Sequence, residues 1–302
     1  MQRTIGKDYL LTVDYVGSSN HHIFNYSNIN QASLPGPNDA NPTSTADINS
    51  RRPYAAIPGS IEQDHKWGAS HYDGLEVSLK KTYTNGMQFN ANYVWGKSMD
   101  FQDSDHKATG EMGNNPKVDY GRSDFMQKYV IKLSGVYELP LGQGKQYLNE
   151  GKWWQNELGG WRVSGLLGIR AGQPFNANAS DNSNTGGGIQ NRATQSCNGN
   201  TGPKTLAEYF NTSCYAVPAN NIFGNERRND LNAPQNTNLD MSVFKEFVIW
   251  DNLKFQWRTD AFSALNHPLP TQPNNSCCSG TFGQITSKSA ARSIQLSAKV
   301  LW

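Results

Sequence analysis

Three observations predict an all-β fold, namely a partial antiparallel transmembrane β-barrel. Apolar and polar residues alternate through about eight stretches of roughly ten residues each. Aromatic residues make up 11% of the chain and charged residues only 17%, a balance that excludes a disordered protein. The stretches are joined alternately by short turns and by long polar loops, which is the asymmetry of outer-membrane barrels.

The strand pattern is clearest in the last ten residues, Ser293 to Trp302. Ten residues at about 3.3 Å each, tilted near 45°, rise about 25 Å, which matches the apolar band of such a barrel. For this segment alone, an ordinary strand of a soluble sandwich is the alternative. The predicted apolar face consists of Ile294, Leu296, Ala298, Val300 and Trp302.

Composition excludes several other classes. The chain has no apolar run of 18 or more residues, so a helical membrane span is not predicted. A net charge of +2 gives no basis for nucleic acid as a partner. Residues Met1 to Asp8 lack the apolar region of a signal peptide. The sequence therefore predicts either a protein that is not exported or a fragment.

The first half of the chain contains a predicted strand and a hairpin. Tyr9 to Val16 alternates and is ended by Gly17 to Asn20, and His21 to His65 is predicted as a long loop with at most one short strand. Residues 71–97 form two alternating strands around Asn85-Gly86, the signal of a tight hairpin turn. Strands of about 11 to 13 residues exceed the usual length and suit a tilted membrane crossing.

The second half continues the same alternation. The short turns at Asn85, Leu141 and Asp251 are expected on the periplasmic side, since barrels place their long loops outside the cell. Further strands are predicted over residues 129–139, 161–171, 238–247, 253–261 and 293–302. The predicted extracellular loops are 18–70, 98–125, 174–236 and 266–291.

Four cysteines lie in loop-like sequence rich in Asn, Ser, Gly and Pro. An even number in long loops favours disulfides in an oxidising compartment. Cys197 and Cys214 are the predicted bridge. Cys277 and Cys278 are left with three alternatives: a bond to each other, pairing with other cysteines, or reduced thiols.

Candidate metal ligands occur in two loops. Asp100, Asp103, Asp105 and His106 resemble a calcium site in composition but lack the glycine and distal glutamate of a calcium loop. Asp181 to Gly186 is closer, yet Arg192 stands at the twelfth position. In both cases a polar, turn-rich loop is the favoured interpretation, and no metal is predicted.

Other chemical motifs are weak. His21-His22 lacks a third ligand at metal spacing, and Gly186 to Gly188 does not open a helix as a phosphate cradle would. No catalytic motif stands out, so neither a catalytic residue nor a cofactor is predicted.

Aromatic residues near the strand ends are predicted to form girdles at the membrane interfaces, where amphipathic rings are stable. The alternative is a set of core or sugar-stacking aromatics in a soluble β-protein. The candidates are Tyr72, Tyr83, Trp95, Tyr137, Trp161, Trp250 and Trp302.

Several motifs point together to a known family. They are Arg170-Ala-Gly-Gln-Pro-Phe175, Phe210-Asn-Thr-Ser-Cys214, Phe223-Gly-Asn225, Asn238-Leu-Asp-Met-Ser-Val-Phe-Lys245, Phe255-Gln-Trp-Arg258 and Leu265-Asn-His-Pro268. In combination they resemble the barrel end of the Oar-like TonB-dependent transporters, and the resemblance covers nearly the whole chain. It implies a non-enzymatic protein of the Gram-negative outer membrane that imports a scarce or bulky ligand, such as a siderophore, an oligosaccharide or a peptide, or that serves as an adhesion or secretion-type receptor.

The resemblance also implies partners and a domain boundary. Expected partners are outer-membrane lipid, the barrel-assembly machinery, which would recognise Leu296, Ala298, Val300 and Trp302, and a TonB-type energy-coupling complex. Large transporters have about 22 strands and a plug. No plug or coupling box is recognised here, so residues 1–302 are expected to be the C-terminal part of the barrel domain. The alternatives are a soluble secreted carbohydrate-binding or hydrolytic β-sandwich and a small passive porin.

Overall fold

One antiparallel sheet runs through most of the chain, and its strands follow one another in sequence order. The computed structural model describes residues 1–102, 115–149, 158–187, 191–250, 253–289 and 291–302. None of the helices in these residues is long and apolar enough to cross a membrane.

The strands have the following bounds: β1 Gln2–Ile5, β2 Tyr9–Asn28, β3 Glu62–Thr84, β4 Met87–Asp100, β5 Gly121–Arg122, β6 Tyr129–Glu138, β7 Trp161–Arg170, β8 Pro174–Phe175, β9 Thr194–Gln195, β10 Tyr215–Ala216, β11 Leu231–Asn232, β12 Asn236–Trp250, β13 Leu253–Phe262 and β14 Ser293–Leu301. The helix α1 spans Thr45–Ser50, and three 3₁₀ turns span Pro116–Asp119, Gly199–Thr201 and Thr212–Cys214. The main sheet of the described residues has the order β1-β2-β3-β4-β6-β7-β12-β13-β14, and β5 pairs with the end of β4.

The eight long strands are those that alternation predicts, but the first two are longer than expected. The prediction that Gly17 to Asn20 ends the first strand is wrong, because β2 continues to Asn28. It pairs with β3 from Tyr9↔Lys81 to Asn28↔Glu62. Backbone hydrogen bonds to a partner of 23 residues hold this polar segment extended despite its turn-forming residues. The first long loop therefore covers 29–61 rather than 18–70.

The register aligns the apolar residues of successive strands on one face. A single row crosses six strands: Leu11, Leu79, Ala91, Leu133, Leu167 and Leu239. A second row crosses β12, β13 and β14: Met241, Ala261 and Ile294. The apolar surface is thus continuous around the sheet, as a lipid-facing wall requires.

The opposite face is polar along the same strands. One row contains Thr12, Ser78, Asn92 and Lys132. Arg258 also lies on this face, and its Nε is 2.8 Å from Asp260 Oδ1. Charged groups at this density suit a hydrated lumen and would be costly in a dry core.

Among the residues that the structure describes, the sheet is open and its apolar face is uncovered. In the described residues β1 pairs only with β2, and β14 only with β13. Leu75, Trp95 and Leu133 are exposed on the apolar face, and no second sheet packs against them in the part of the chain that the structure describes. The sandwich alternative is therefore wrong, and the partial antiparallel barrel is confirmed.

The four longest connections leave one end of the sheet, and the connections at the other end are shorter, although the one between β6 and β7, which contains Leu141, covers residues 139–160. The predicted turn at Asp251 lies outside the described residues. The tightest connection is Asn85-Gly86, where both residues have positive φ, 52° and 76°, as the preferred hairpin turn requires. The four long loops, 29–61, 101–128, 171–235 and 263–292, all leave the end opposite this turn. In the first of them Ser44 caps α1 by accepting a hydrogen bond from the Asp47 amide at 3.1 Å.

Candidate functional site

The four long loops pack together into what we call the loop cap, which is the described part of residues 29–61, 101–128, 171–235 and 263–292. The cap contains the buried apolar core of the described residues. Phe210 is its centre and makes edge contacts with Phe175, Tyr215 and Phe282, with ring centroids 5.8, 5.8 and 5.0 Å apart. A stretch that alternation predicts only as irregular is thus a folded unit with its own core.

A disulfide closes part of the cap core. Cys197 and Cys214 are bonded, with Cα atoms 5.0 Å apart. The Ser196 amide donates to the Cys214 carbonyl at 2.9 Å, and Cys214 is buried against Phe210. The bridge therefore joins the exposed Cys197, which precedes the 3₁₀ turn Gly199–Thr201, to the aromatic core.

Replacing both Cys197 and Cys214 by serine is expected to make local opening of the cap easier by about 3 kcal/mol, because a loop of this length loses its cross-link in the open state. Hydrogen exchange of the Ser196 amide, read by mass spectrometry on protein in detergent, measures the change. Cys278→Ser is the matched control, since Cys278 is exposed and forms no disulfide. Equal protection in the double variant and the control would contradict the expectation.

Cys277 and Cys278 have no disulfide, and their sulfur atoms lie 2.6 Å apart. Because Cys197 and Cys214 are already bonded, pairing with them is ruled out. Burial against the cap core raises the pKa of the Cys277 thiol to about 12, and the neighbouring Cys278 acts in the same direction. Cys277 is consequently a poor thiolate nucleophile or metal ligand.

Two buried ion pairs join segments that are far apart in sequence. Arg192 Nη1 lies 2.9 Å from Asp119 Oδ1, and both side chains are almost fully buried. Arg228 Nη1 donates to the Asp100 carbonyl at 2.8 Å and also to the Asp100 carboxylate. Its Nη2 lies 3.1 Å from Asp124 Oδ1. The Arg228 contacts fix the 224–230 segment against the end of β4 and the residues that follow β5. The Arg192 pair ties the start of the 191–195 segment to the 3₁₀ turn Pro116–Asp119.

The first and third loops are clamped by the end of α1. Arg51 Nη2 donates to the Asn184 carbonyl at 2.8 Å, and Arg52 Nη2 donates to the Gly186 carbonyl at 3.3 Å. Gln31 Nε2 donates to Thr185 Oγ1 at 3.1 Å. The cap is therefore one connected structure across the mouth of the sheet.

The acidic residues considered as calcium ligands, for which a polar loop is the favoured interpretation, have other roles or lie outside the described residues. Asp100 is the ion-pair partner of Arg228 and accepts a hydrogen bond from Ser123 Oγ. Asp103, Asp105 and His106 lie outside the described residues. The described part of the chain holds no group of three or more His, Cys, Asp or Glu residues arranged for a metal ion.

The other weak motifs also have structural partners. Asp181 Oδ1 accepts from the Ser183 amide at 2.9 Å and closes a local turn. His21 Nε2 contacts Ser19 Oγ at 3.1 Å, and His22 has φ of 61° at an irregularity of β2. Gly186 has φ of 60° beside Arg52, whereas Gly188 lies outside the described residues.

Most of the predicted girdle aromatics are exposed near strand ends, but Tyr72 differs. Tyr83, Trp95 and Tyr137 are exposed on or beside the apolar face, as are Trp250 and Trp302 at the chain's later strand ends. Tyr72 has the register of the polar face and covers Gly74 and Gly96. Glycine at these two positions leaves room for its ring.

The predicted assembly residues lie on the free edge of the sheet. Leu296, Ala298 and Val300 pair with β13 on the apolar face, and Trp302 follows β14 and is 92% exposed. Their recognition by assembly machinery stays a prediction.

Glu226 is a buried acid that no sequence motif indicates. It is 2% exposed, and both of its carboxylate oxygens accept from the Ala177 amide at 3.0 Å. Burial raises its pKa to about 8, Asp230 adds to the rise, and Arg192 and the hydrogen bonds oppose it. At neutral pH most molecules therefore carry this group protonated and uncharged.

A cavity of about 600 Å³ lies beside Glu226, between the 117–122 and 224–230 segments and the end of β4. This volume is within the range of small-molecule sites. Six cationic side chains line it: Lys97, Lys117, Arg122, Arg192, Arg227 and Arg228. We take this cavity as the candidate ligand site of the loop cap.

The continuous apolar face, the polar opposite face and the loops gathered at one end define an outer-membrane β-barrel protein. The family model described as outer membrane beta barrel domain matches residues 1–295, so the chain belongs to that family and to the Gram-negative outer membrane. No match was found among curated protein sequences.

Two solved structures resemble the chain at low identity. The outer membrane transporter YddB from Escherichia coli has 12% identity and a TM-score of 0.46 over 99% of this chain. The FpvA–pyoverdine–iron complex of P. aeruginosa has 10% identity and a TM-score of 0.40 over 98% of this chain. The chain spans 31% of the length of each.

Proposed function

We propose that this chain is part of the barrel of an Oar-like TonB-dependent transporter that imports a scarce or bulky ligand. One observation supports the proposal: the sheet has an apolar face suited to lipid, and a folded loop cap lies at one end of it. A passive pore needs an open mouth, whereas a cap tied together by Arg51, Arg52 and Arg228 is suited to holding a ligand. The ligand classes are a siderophore, an oligosaccharide or a peptide.

The open sheet supports a larger barrel. The outer edges of β1 and β14 have no strand partner among the described residues, and unpaired backbone groups are costly in lipid. We propose that further strands close the barrel and that residues 1–302 are its C-terminal part. The loop cap then faces the cell exterior, and the short turns face the periplasm.

Partners follow from the same proposal. Outer-membrane lipid covers the apolar face, and the barrel-assembly machinery recognises the edge strand through Leu296, Ala298, Val300 and Trp302. A TonB-type energy-coupling complex drives import through segments outside this sequence. The role is non-enzymatic.

A growth experiment tests import. Cells with and without the gene for the complete protein receive limiting iron, carbon or nitrogen as a siderophore, an oligosaccharide or a peptide. We expect gene-dependent growth on one class, abolished when the energy-coupling complex is deleted. Growth that persists without the coupling complex would overturn active import and favour a passive pore. Ligand binding at the cell surface without gene-dependent growth would favour a receptor.

A further inference from the structure

Four cationic side chains of the cavity form no salt bridge with an acidic side chain of the described residues. Lys117 and Arg227 line the cavity and have no hydrogen-bonded or ion-paired side-chain partner in the part of the chain that the structure describes. Lys97 forms no salt bridge there either, but it lies opposite Asp73 in the β3–β4 ladder and attracts that carboxylate. Arg122 donates only to neutral oxygens, Asn232 Oδ1 at 2.6 Å and the Leu231 carbonyl at 3.2 Å. Such a concentration of unpaired positive charge in one concave site is unfavourable unless an anion or solvent offsets it.

The acidic residues of the cavity do not balance this charge. Asp230 contributes one carboxylate, which accepts from Gln195 Nε2 at 2.8 Å. Glu226 is buried and is mainly uncharged at neutral pH because its pKa is about 8. The cavity therefore keeps a net positive charge at neutral pH.

The wall that carries Arg227 is held in place before any ligand arrives. Arg228 is anchored to Asp100 and Asp124, and Gly224 lies so close to the Arg192 carbonyl that any Cβ would collide with it. The neighbouring side chains on this wall alternate, with Glu226 and Arg228 buried and Arg227 exposed toward the cavity. A fixed wall lowers the ordering cost of binding.

We propose that this cavity binds a soluble ligand carrying two or more carboxylate or phosphate groups. Lys117, Arg122 and Arg227 contact the anionic groups, and Lys97 adds long-range attraction. Arginine suits this role because its planar guanidinium forms paired hydrogen bonds with carboxylate and phosphate. The inference extends the proposed function. Transport of the ligand after binding rests on that function, whereas binding itself does not.

The test measures binding of citrate, pyrophosphate and maltose by calorimetry to the complete protein purified in detergent. The Lys117→Gln/Arg227→Gln variant removes two exposed cations whose loss leaves no buried acid unpaired. Lys288→Gln, an exposed cation of the cap outside the cavity, is the matched control. Equal hydrogen-exchange protection of the Ser196 amide, which donates to the Cys214 carbonyl, in all three proteins shows that the cap has folded.

We expect at least one of the two anions to bind to the wild-type protein and maltose not to bind. The affinity for that anion should fall about tenfold or more in the double variant and should stay unchanged in Lys288→Gln. Equal anion affinity in all three proteins, or no anion binding by the wild type, would overturn the proposal. Binding only to vesicles that contain a phosphorylated glycolipid would also overturn it, since the source would then be a membrane headgroup. Because transport plays no part, the result is independent of the growth experiment.

Discussion

Replacing Arg228 by methionine is expected to lower the free energy of unfolding of the loop cap by about 3 to 5 kcal/mol. The guanidinium is almost fully buried and holds both Asp100 and Asp124. Without it, the Asp100 carboxylate stays buried with a hydrogen bond from Ser123 but no counter-charge. We call the contact of the 224–230 segment with the end of β4 and the residues that follow β5 the junction. Hydrogen exchange at the Ser123 amide, which donates to the Ser98 carbonyl at 3.1 Å, reports its opening.

The neighbouring residue supplies a matched control. Arg227→Met changes the same residue type in the same segment, but Arg227 is exposed, so its effect on stability should stay within about 0.5 kcal/mol. Asp100→Asn combined with Arg228→Met should recover part of the loss, because no unpaired buried charge remains. Similar exchange rates for Arg228→Met and Arg227→Met would show that the buried pair does not hold the junction.

The stability of the loop cap should decrease as the pH rises from about 4.5 to about 8, and Glu226 is the reason. Its pKa is about 8 in the folded protein against an ordinary value of 4.5, so between these values the folded state binds the proton and the unfolded state releases it. The stabilisation is fully present below pH 4.5 and is lost as pH rises through about 8, by up to about 1.4 kcal/mol per pH unit.

Glu226→Gln should abolish this dependence, because its amide oxygen still accepts from the Ala177 amide and no charge forms. The groups that act on Glu226 are Ala177, Asn176, Arg192 and Asp230, and all are unchanged in the variant. Limited proteolysis of the cap at pH 6 and pH 9 measures the difference. Glu208→Gln, in the same loop, is the control that should keep the wild-type pH response; an equal response in Glu226→Gln would contradict the assignment.

The sequence allows the sheet to be predicted much better than the cap. Alternation fixes the face of each strand residue locally, so the apolar row through Leu79 and Leu133 could be anticipated before the strands were paired. The true length of β2 could not, because its polar half from Gly17 onward is extended only by pairing with β3. Tyr72 likewise depends on neighbouring glycines across the ladder.

The candidate site was missed because its contacts join distant segments. Arg192 and Asp119 are 73 residues apart, and Arg228 and Asp100 are 128 apart. In the sequence, Glu226-Arg227-Arg228 looks like a solvated charge run. One usable signal was present: in an extended segment the first and third residues share a side, so the pattern permits two buried charges around an exposed one.

The loop cap has a core of its own that is stabilised in water, whereas the apolar face of the sheet is stabilised in lipid. The burial of Phe210 and Leu231 away from water stabilises the cap, whereas lipid covers the apolar rows of the sheet. Damage to one region need not carry over to the other. Harmful substitutions in the sheet should consequently give protein that never accumulates in the membrane. Harmful substitutions in the loop cap should give protein that is inserted at normal abundance but is inactive.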